Sequence, residues 1–321
     1  MTGMLRAGII GAGRIGWRYD GGRWDGKPSV THASCIDRHA RTTLVAMHDP
    51  VDDVCQEFSA AFPNVLSTTS LQDFFASKLD LVCIASPSEH HAAHLLACFE
   101  AGIRYILQEK PVTLELAEYH KVLQHWRQLQ LKPRLHVNFF RRVLPQAAKL
   151  REAFNSHPPK GIEIAYSRGL AINGVHLLDL LGFVTKSAPP EIIDWVAGTA
   201  VNPSFGFRLG HVPVTVVGYD LPYHCIEFRM LFDHGRLAMV DGGMRLEYEP
   251  VEPTPNYSGF FHLGMRTSAF DETEAAQAME DGTYKGLCLL LDDQAEQVSS
   301  LEAAGFAQQL VHMVDAACRR D

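Results

Sequence analysis

No apolar run in this 321-residue sequence approaches the roughly 20 residues that a membrane-crossing helix needs; the longest, such as Leu79–Ala85, fall far short. Basic blocks are absent too. Lys and Arg total 29 against 37 Asp and Glu, a net charge of −8, which argues against nucleic acid as the main partner. Cysteine is sparse: seven residues, scattered, with no CxxC pair. That excludes a disulfide framework and a cysteine-rich zinc centre, and it fits a reducing compartment. No apolar segment ending in small residues opens the chain, so the expectation is a cytoplasmic protein without a signal peptide. Internal repeats and low-complexity segments are also missing. What remains is 46 % hydrophobic and 21 % charged, the balance of an ordinary globular protein. The length suggests about two domains.

The first 140 residues alternate short Val-, Ile- and Leu-rich runs with helical patterns. Strands are expected at Leu5–Ile10, Thr43–His48, Asp80–Ala85, Arg104–Leu107 and Arg134–Phe139. Near-continuous apolar runs suit parallel strands covered on both faces. Between them, Ser70 opens a capping box, Ser88 caps a helix to Ala101 with Gly102 at its end, and Thr113 caps a helix through Gln130. Repeated β-α units imply a doubly wound parallel sheet. After a helix at Pro145–Asn155 the pattern changes to strands at 161–166, 192–201, 214–219, 223–232, 236–240 and 244–248, an antiparallel meander with turns at His234-Gly235 and Gly242-Gly243. Residues 250–270 read as a long loop, and Glu272–Arg320 as helices around a break near Gly282–Gly286. The expected domains are residues 1–133 and 134–321.

Four segments carry chemistry. Gly11-Ala12-Gly13-Arg14-Ile15-Gly16 follows the first strand directly. In such a turn the first glycine permits the bend, the second admits a pyrophosphate to the backbone, and the third allows close helix packing, with the phosphates at a helix N-terminus. Asp49 ends the second strand, where a carboxylate contacts a ribose 2′-OH, repels a 2′-phosphate and favours NAD over NADP. The plainer reading of Asp49 is a helix cap before Val51. It lies 33 residues beyond Gly16 because Trp17–Val30 reads as an insertion, either a lid or an interface patch. Ser86-Pro87-Ser88-Glu89-His90-His91 follows a strand at its carboxyl end, where ligands of parallel sheets bind. His90, His91 and His94 do not form a metal site on this reading, because adjacent histidines diverge on a helix. Finally, Gln108-Glu109-Lys110-Pro111 places a lysine at the same crevice, where desolvation and a cofactor would fit it for acid–base work.

Together with Gly174-Val175-His176-Leu177-Leu178-Asp179, these motifs resemble the Gfo/Idh/MocA family, named for glucose–fructose oxidoreductase and inositol dehydrogenase. The resemblance covers nearly the whole chain, and the Glu-Lys-Pro step is its most specific element. It implies an N-terminal NAD(P)-binding Rossmann domain and a C-terminal α+β domain. The second domain would be built on a large, open, mostly antiparallel sheet and would serve substrate binding and assembly into a homodimer or homotetramer. The implied activity is hydride transfer between NAD, or alternatively NADP, and a hydroxyl or oxo carbon of a polyol, sugar or sugar derivative. The cofactor-binding set would be Gly11, Gly13, Arg14, Ile15, Gly16, Asp49, Ser86, Pro87, His91, Glu109 and Lys110. Lys110 and His176 would be catalytic, with Pro111 after a cis peptide. Asn138, Arg141, Arg168, Asn173 and His176 would meet substrate. The family often has Asp four residues before that histidine; here the position is Ile172. That departure keeps a non-catalytic NAD(P)-binding regulator in view, and a non-sugar carbonyl or dihydrodiol substrate is a further alternative.

Overall fold

The computed structural model describes residues 3–268, 277–296 and 299–319. It divides into two compact units, residues 1–140 with 280–304, and residues 141–279 with 305–321. The expected boundary after residue 133 is therefore corrected. Residues Arg134–Val137 pair in register with the preceding strand of the first sheet, and a later segment returns to that unit.

The first unit holds a six-stranded sheet: β1 Leu5–Ile10, β2 Thr42–His48, β3 Leu66–Thr68, β4 Leu81–Ile84, β5 Tyr105–Gln108 and β6 Arg134–Val137. Their order is β3-β2-β1-β4-β5-β6, parallel throughout. Every residue of β4 and β5 is buried, as continuous apolar runs require. Only β3, short and half-exposed at the edge, had no signature in the sequence. Helices α1 (His32–Arg38), α2 (Asp52–Ala61), α3 (Leu71–Ala76), α4 (His91–Glu100) and α5 (Leu116–Gln128) connect the strands. Ser70 caps α3 by accepting from Asp73 N at 3.2 Å. Ser88 and Thr113 do not cap. A short 3₁₀ turn, Ser88–His90, precedes α4, and Thr113 Oγ1 donates instead to Glu115 O at 2.8 Å.

The second unit begins with α6 (Pro145–Ser156), β7 (Gly161–Ser167) and α7 (Val175–Thr185). Its strands continue as β8 (Trp195–Gly198), β9 (Pro203–Leu209), β10 (Val212–Tyr219), β11 (Ile226–Phe232), β12 (Gly235–Val240), β13 (Arg245–Pro253), β14 (Phe261–Leu263) and β15 (Thr267–Ser268). The sheet runs β14-β13-β12-β11-β7-β10-β9-β8, with β15 on β13. All pairings are antiparallel except β7–β10. Residues 250–270 are thus not simply a loop. Pro250 and Pro253 lie in β13, and Gly264 N donates to Pro250 O at 2.7 Å. Gly242 and Gly243 turn at φ 71° and 105° between β12 and β13.

Among the described residues, 277–280 are helical, and α8 (Gly282–Leu291) and α9 (Leu301–Cys318) follow. The expected break near Gly282–Gly286 falls at Asp281, the N-cap of α8; Gly282 is the first residue of that helix and Gly286 lies inside it. Both glycines are there for close packing: a Cβ would lie 2.9 Å from Phe140 Cβ at Gly282 and 2.9 Å from His136 Nε2 at Gly286. Among the described residues no helix is long and apolar enough to cross a membrane.

Candidate active site

β1 lies between β2 and β4, so the chain direction of the sheet's winding switches beside it, the place where open α/β sheets bind ligands. Gly11, at φ 97°, abuts the turn after β4; a Cβ there would stand 2.5 Å from Ser86 N. A Cβ on Gly16 would stand 2.4 Å from Gly11 O, whereas Gly13 has nothing within 4 Å of that position. The first and third glycines close the turn, and the second leaves its backbone open. The turn leads into one π-helical turn, Arg14–Arg18, rather than a long α-helix. Trp17 ends this run by plugging the core: its Nε1 donates to Ala12 O at 3.0 Å and its ring meets Phe58 and Phe62 edge-on. The chain then leaves for the insertion and resumes helix at α1, where Thr31 is the N-cap.

A cavity of about 360 Å³ opens at the carboxyl ends of β1, β2 and β4, lined by Ile10, Gly11, His48, Asp49, Pro50, Val51, Ser86, Pro87, His90 and His94. Burial, with the neighbouring histidines His48, His90 and His91, pushes His94 down to about 4, and burial lowers His48. Near neutral pH His48 and His94 are therefore uncharged. Asp49 supplies the cavity's carboxylate. Its Oδ2 accepts from Ala12 N at 3.0 Å, inside the glycine turn, and its Oδ1 from Val51 N at 3.1 Å, as a cap would. A neutral cavity, one rim carboxylate and an open Gly13 backbone fit the adenosine and pyrophosphate parts of a dinucleotide.

His91 stands apart from that cavity lining. Its Nδ1 lies 2.6 Å from Pro111 O and its Nε2 2.9 Å from Ser86 O, so both nitrogens are engaged by backbone. The ring ties the turn after β4 to the turn after β5. The Lys110-Pro111 peptide is cis, as the resemblance implied. Lys110 itself is half-buried just past the end of β5. Before it, Glu109 Oε1 accepts from His32 Nε2 at 2.9 Å and from Asn138 Nδ2 at 2.7 Å. Asn138, expected at substrate, is buried and holds Glu109 and Thr283. His32 was not singled out by sequence. Its partner is 77 residues away, and its only local signal is the place where helix resumes after the insertion.

In the second unit His176 is the second residue of α7 and is buried. The preceding segment, Leu170–Gly174, is a π-helical turn entered through Arg168 at φ 64° and Gly169 at φ 98°. Ile172 is 62 % exposed there, an apolar side chain where family members often carry a carboxylate. Asn173 Nδ2 donates to Ser167 O at 2.9 Å and to His224 Nδ1 at 3.0 Å, so its amide hydrogens are committed. Exposed Arg168 reaches Pro222 O at 3.4 Å. Arg141 is buried, which pulls its guanidinium down to about 10, with Nη2 at 3.5 Å from Gly242 O. Arg142 grips Asp179 with two bonds, Nε to Oδ2 at 2.5 Å and Nη2 to Oδ1 at 2.6 Å. Asp179 is therefore the partner of Arg142.

Residues 5–139 match the family model described as "Oxidoreductase family, NAD-binding Rossmann fold", GFO_IDH_MocA. Over those residues the chain is similar to the Gfo/Idh/MocA oxidoreductases. An inositol 2-dehydrogenase of Corynebacterium glutamicum is 29 % identical over 209 residues, 63 % of this chain and 56 % of that protein. The match therefore spans little more than half the relative's length. The WlbA dehydrogenase of Bordetella pertussis, solved with NADH and UDP-GlcNAcA, has a TM-score of 0.76 at 16 % identity, over 99 % of this chain and 96 % of that one. The UDP-N-acetylglucosamine 3-dehydrogenase GnnA of Acidithiobacillus ferrooxidans gives 0.67 at 19 %, covering 98 % of both chains. At such identities these structures share the fold.

Proposed function

We propose that this chain is an NAD-dependent dehydrogenase that acts on a secondary alcohol of a polyol, a sugar or a sugar derivative. The observation that carries the reading is one crevice in the first unit: the open Gly13 turn, the neutral cavity rimmed by Asp49, and Lys110 at the end of the neighbouring strand. Nicotinamide, when bound, takes up or returns the hydride. The protein's part is to position and to move a proton. Gly11, Gly13, Arg14, Ile15 and Gly16 take the pyrophosphate, and Asp49 takes the ribose hydroxyls, with NAD preferred to NADP. Ser86, Pro87 and Glu109 border the path of the cofactor, and His91 shapes it by clasping the turns after β4 and β5. Lys110 Nζ accepts or relays the hydroxyl proton as hydride leaves, and His176 holds the substrate oxygen. Asn138, Arg141, Arg168 and Asn173 are assigned to the substrate side. For Asn138 and Asn173 the role left is through the amide oxygen or through positioning. Inositol 2-dehydrogenase and the two UDP-sugar dehydrogenases support this substrate class.

The same reading places the protein in the cytoplasm, where buried thiols such as Cys35, Cys55, Cys83 and Cys98 stay reduced, and assembles it as a homo-oligomer through the second unit's sheet. Ile172 favours one other reading, a non-catalytic NAD-binding regulator. The deciding experiment is NAD reduction, followed by absorbance, on a panel of inositols, aldoses and UDP-sugars. Turnover on a member of the panel supports the dehydrogenase. Tight NAD binding with no turnover on any member supports the regulator.

A further inference from the structure

We propose that Trp17 is a positioning residue that aims the Gly13 N–H at the pyrophosphate, and that the insertion after it acts as the brace holding Trp17 in place. Both roles rest on the reading of the glycine turn as the pyrophosphate site. Trp17 is 8 % exposed and packs in one core cluster with Ala12, Phe58 and Phe62. Its ring meets Phe58 and Phe62 edge-on, at centroid distances of 5.5 and 6.0 Å. Its Nε1 donates to Ala12 O at 3.0 Å. The other end of Ala12 is held as well, since Ala12 N donates to Asp49 Oδ2 at 3.0 Å. Ala12 is thus fixed on both sides, by an indole from the core and by the carboxylate assigned to the ribose.

A trans peptide points its carbonyl and its N–H in opposite directions. The carbonyl of Ala12 and the N–H of Gly13 belong to one such peptide. With Ala12 O turned inward to the indole, the Gly13 N–H is turned away from the core. Nothing lies within 4 Å of a Cβ position on Gly13, so a phosphate oxygen has room to approach. Ala12 is 0 % exposed; without the indole donor its oxygen would be a buried acceptor lacking a partner, and rotation of the peptide would relieve that cost. The same rotation would take the Gly13 N–H off the phosphate. The effect falls on the pyrophosphate and leaves the adenosine part of the cofactor alone.

The insertion secures Trp17 from several sides. Arg18 pairs with Glu57 of α2. The Arg23 guanidinium lies over the Phe62 ring, 4.3 Å from its centroid. Gly22, at φ 69°, packs so closely that a Cβ would stand 2.8 Å from Phe62 Cζ, 2.9 Å from Ala33 Cβ and 3.1 Å from Trp17 Cβ. Asp20 ties the loop shut, accepting from Gly22 N at 2.9 Å, Val30 N at 3.0 Å, Thr31 N at 3.0 Å and Thr31 Oγ1 at 2.6 Å. Ser29 N donates to Asp281 Oδ1 at 3.2 Å, which pins the far end to the start of α8. The insertion, expected as a lid or an interface patch, is in this role a brace for the phosphate turn.

Trp17→Phe keeps a ring against Phe58 and Phe62 and removes the N–H. Parent and variant are compared by calorimetry with NADH and with ADP-ribose, and by ligand-observed NMR with adenosine; circular dichroism melting checks folding. Loss of one hydrogen bond weakens binding about three- to tenfold, and NADH and ADP-ribose are expected to lose that factor while adenosine binds as it does to the parent. Equal ADP-ribose affinity in the folded variant would overturn the role given to Trp17. An equal loss for adenosine would overturn it too, because that is what a merely structural role predicts. If Trp17→Phe does not fold, the parent with isotope-labelled tryptophan decides. Its Trp17 indole resonance, identified by elimination with Trp24→Phe, Trp126→Phe and Trp195→Phe, is expected to move on adding ADP-ribose and to stay on adding adenosine. No movement, or the same movement with both ligands, would overturn the role. A parent that binds neither NADH nor ADP-ribose instead removes the cofactor reading, and this role with it, so the two failures are told apart.

Discussion

At the scale of single residues, the cofactor turn offers the cleanest substitutions. Gly13 has open space where a Cβ would go, so Gly13→Val should fold normally and still place an isopropyl group in the pyrophosphate path. We expect NADH titration by fluorescence to show binding lost or weakened at least tenfold; unchanged affinity in a folded variant would move the cofactor elsewhere. Asp49→Ala should narrow the preference for NAD over NADP, and tighter binding of NADP by the parent would reject the role given to Asp49. The turn's glycines were legible because each does a local job, at a bend or at a close approach a few residues away. The orientations of side chains were not. Asp49 spends one oxygen on Ala12 N, His91 turns both nitrogens to carbonyls, and Glu109 meets a histidine 77 residues distant. Those choices depend on which strands become neighbours, and no spacing along the chain records that.

At the scale of elements, α7 is anchored by Arg142 and Asp179, whose side chains are 3 % and 0 % exposed. Removing one partner of a buried pair typically costs about 3–5 kcal/mol, so Arg142→Ala should lower thermal stability sharply. The sign of its pH dependence follows from burial, which already pushes Asp179 up to about 6 despite the attraction of Arg142. Without Arg142 that carboxyl takes its proton more tightly in the folded state than in the unfolded one. The penalty should therefore be small at acid pH and grow as the pH rises through and beyond 6. Melting temperatures of parent and variant that stay parallel across this range would contradict the account. Elements with strong apolar periodicity, β1, β2, β4 and β5, were readable because burial on both faces leaves a continuous Val, Ile and Leu run. β3 and β14 are three residues each, too short to carry a pattern. Gly286 lies inside α8, and its cause, the ring of His136, lies on another segment.

At the scale of the whole molecule, the second unit's sheet exposes apolar side chains near β14: Tyr257 at 66 %, Phe260 at 68 %, Phe261 at 66 % and Met265 at 81 %. Clustered exposed apolar surface usually marks an interface. Light scattering is expected to give a dimer or tetramer, and Phe260→Ser with Phe261→Ser to reduce the mass; a monomeric parent at micromolar concentration would reject the assembly. The central claim concerns chemistry in the crevice beside Lys110, and one measurement reaches it most directly. Single-turnover reduction of NAD, read by nicotinamide absorbance with whichever polyol or sugar the parent oxidises, is to be compared in parent and Lys110→Ala. A general acid–base group typically contributes about 100- to 10,000-fold, and a loss of that size with cofactor affinity nearly unchanged is the predicted result. Equal rates in parent and variant would contradict it.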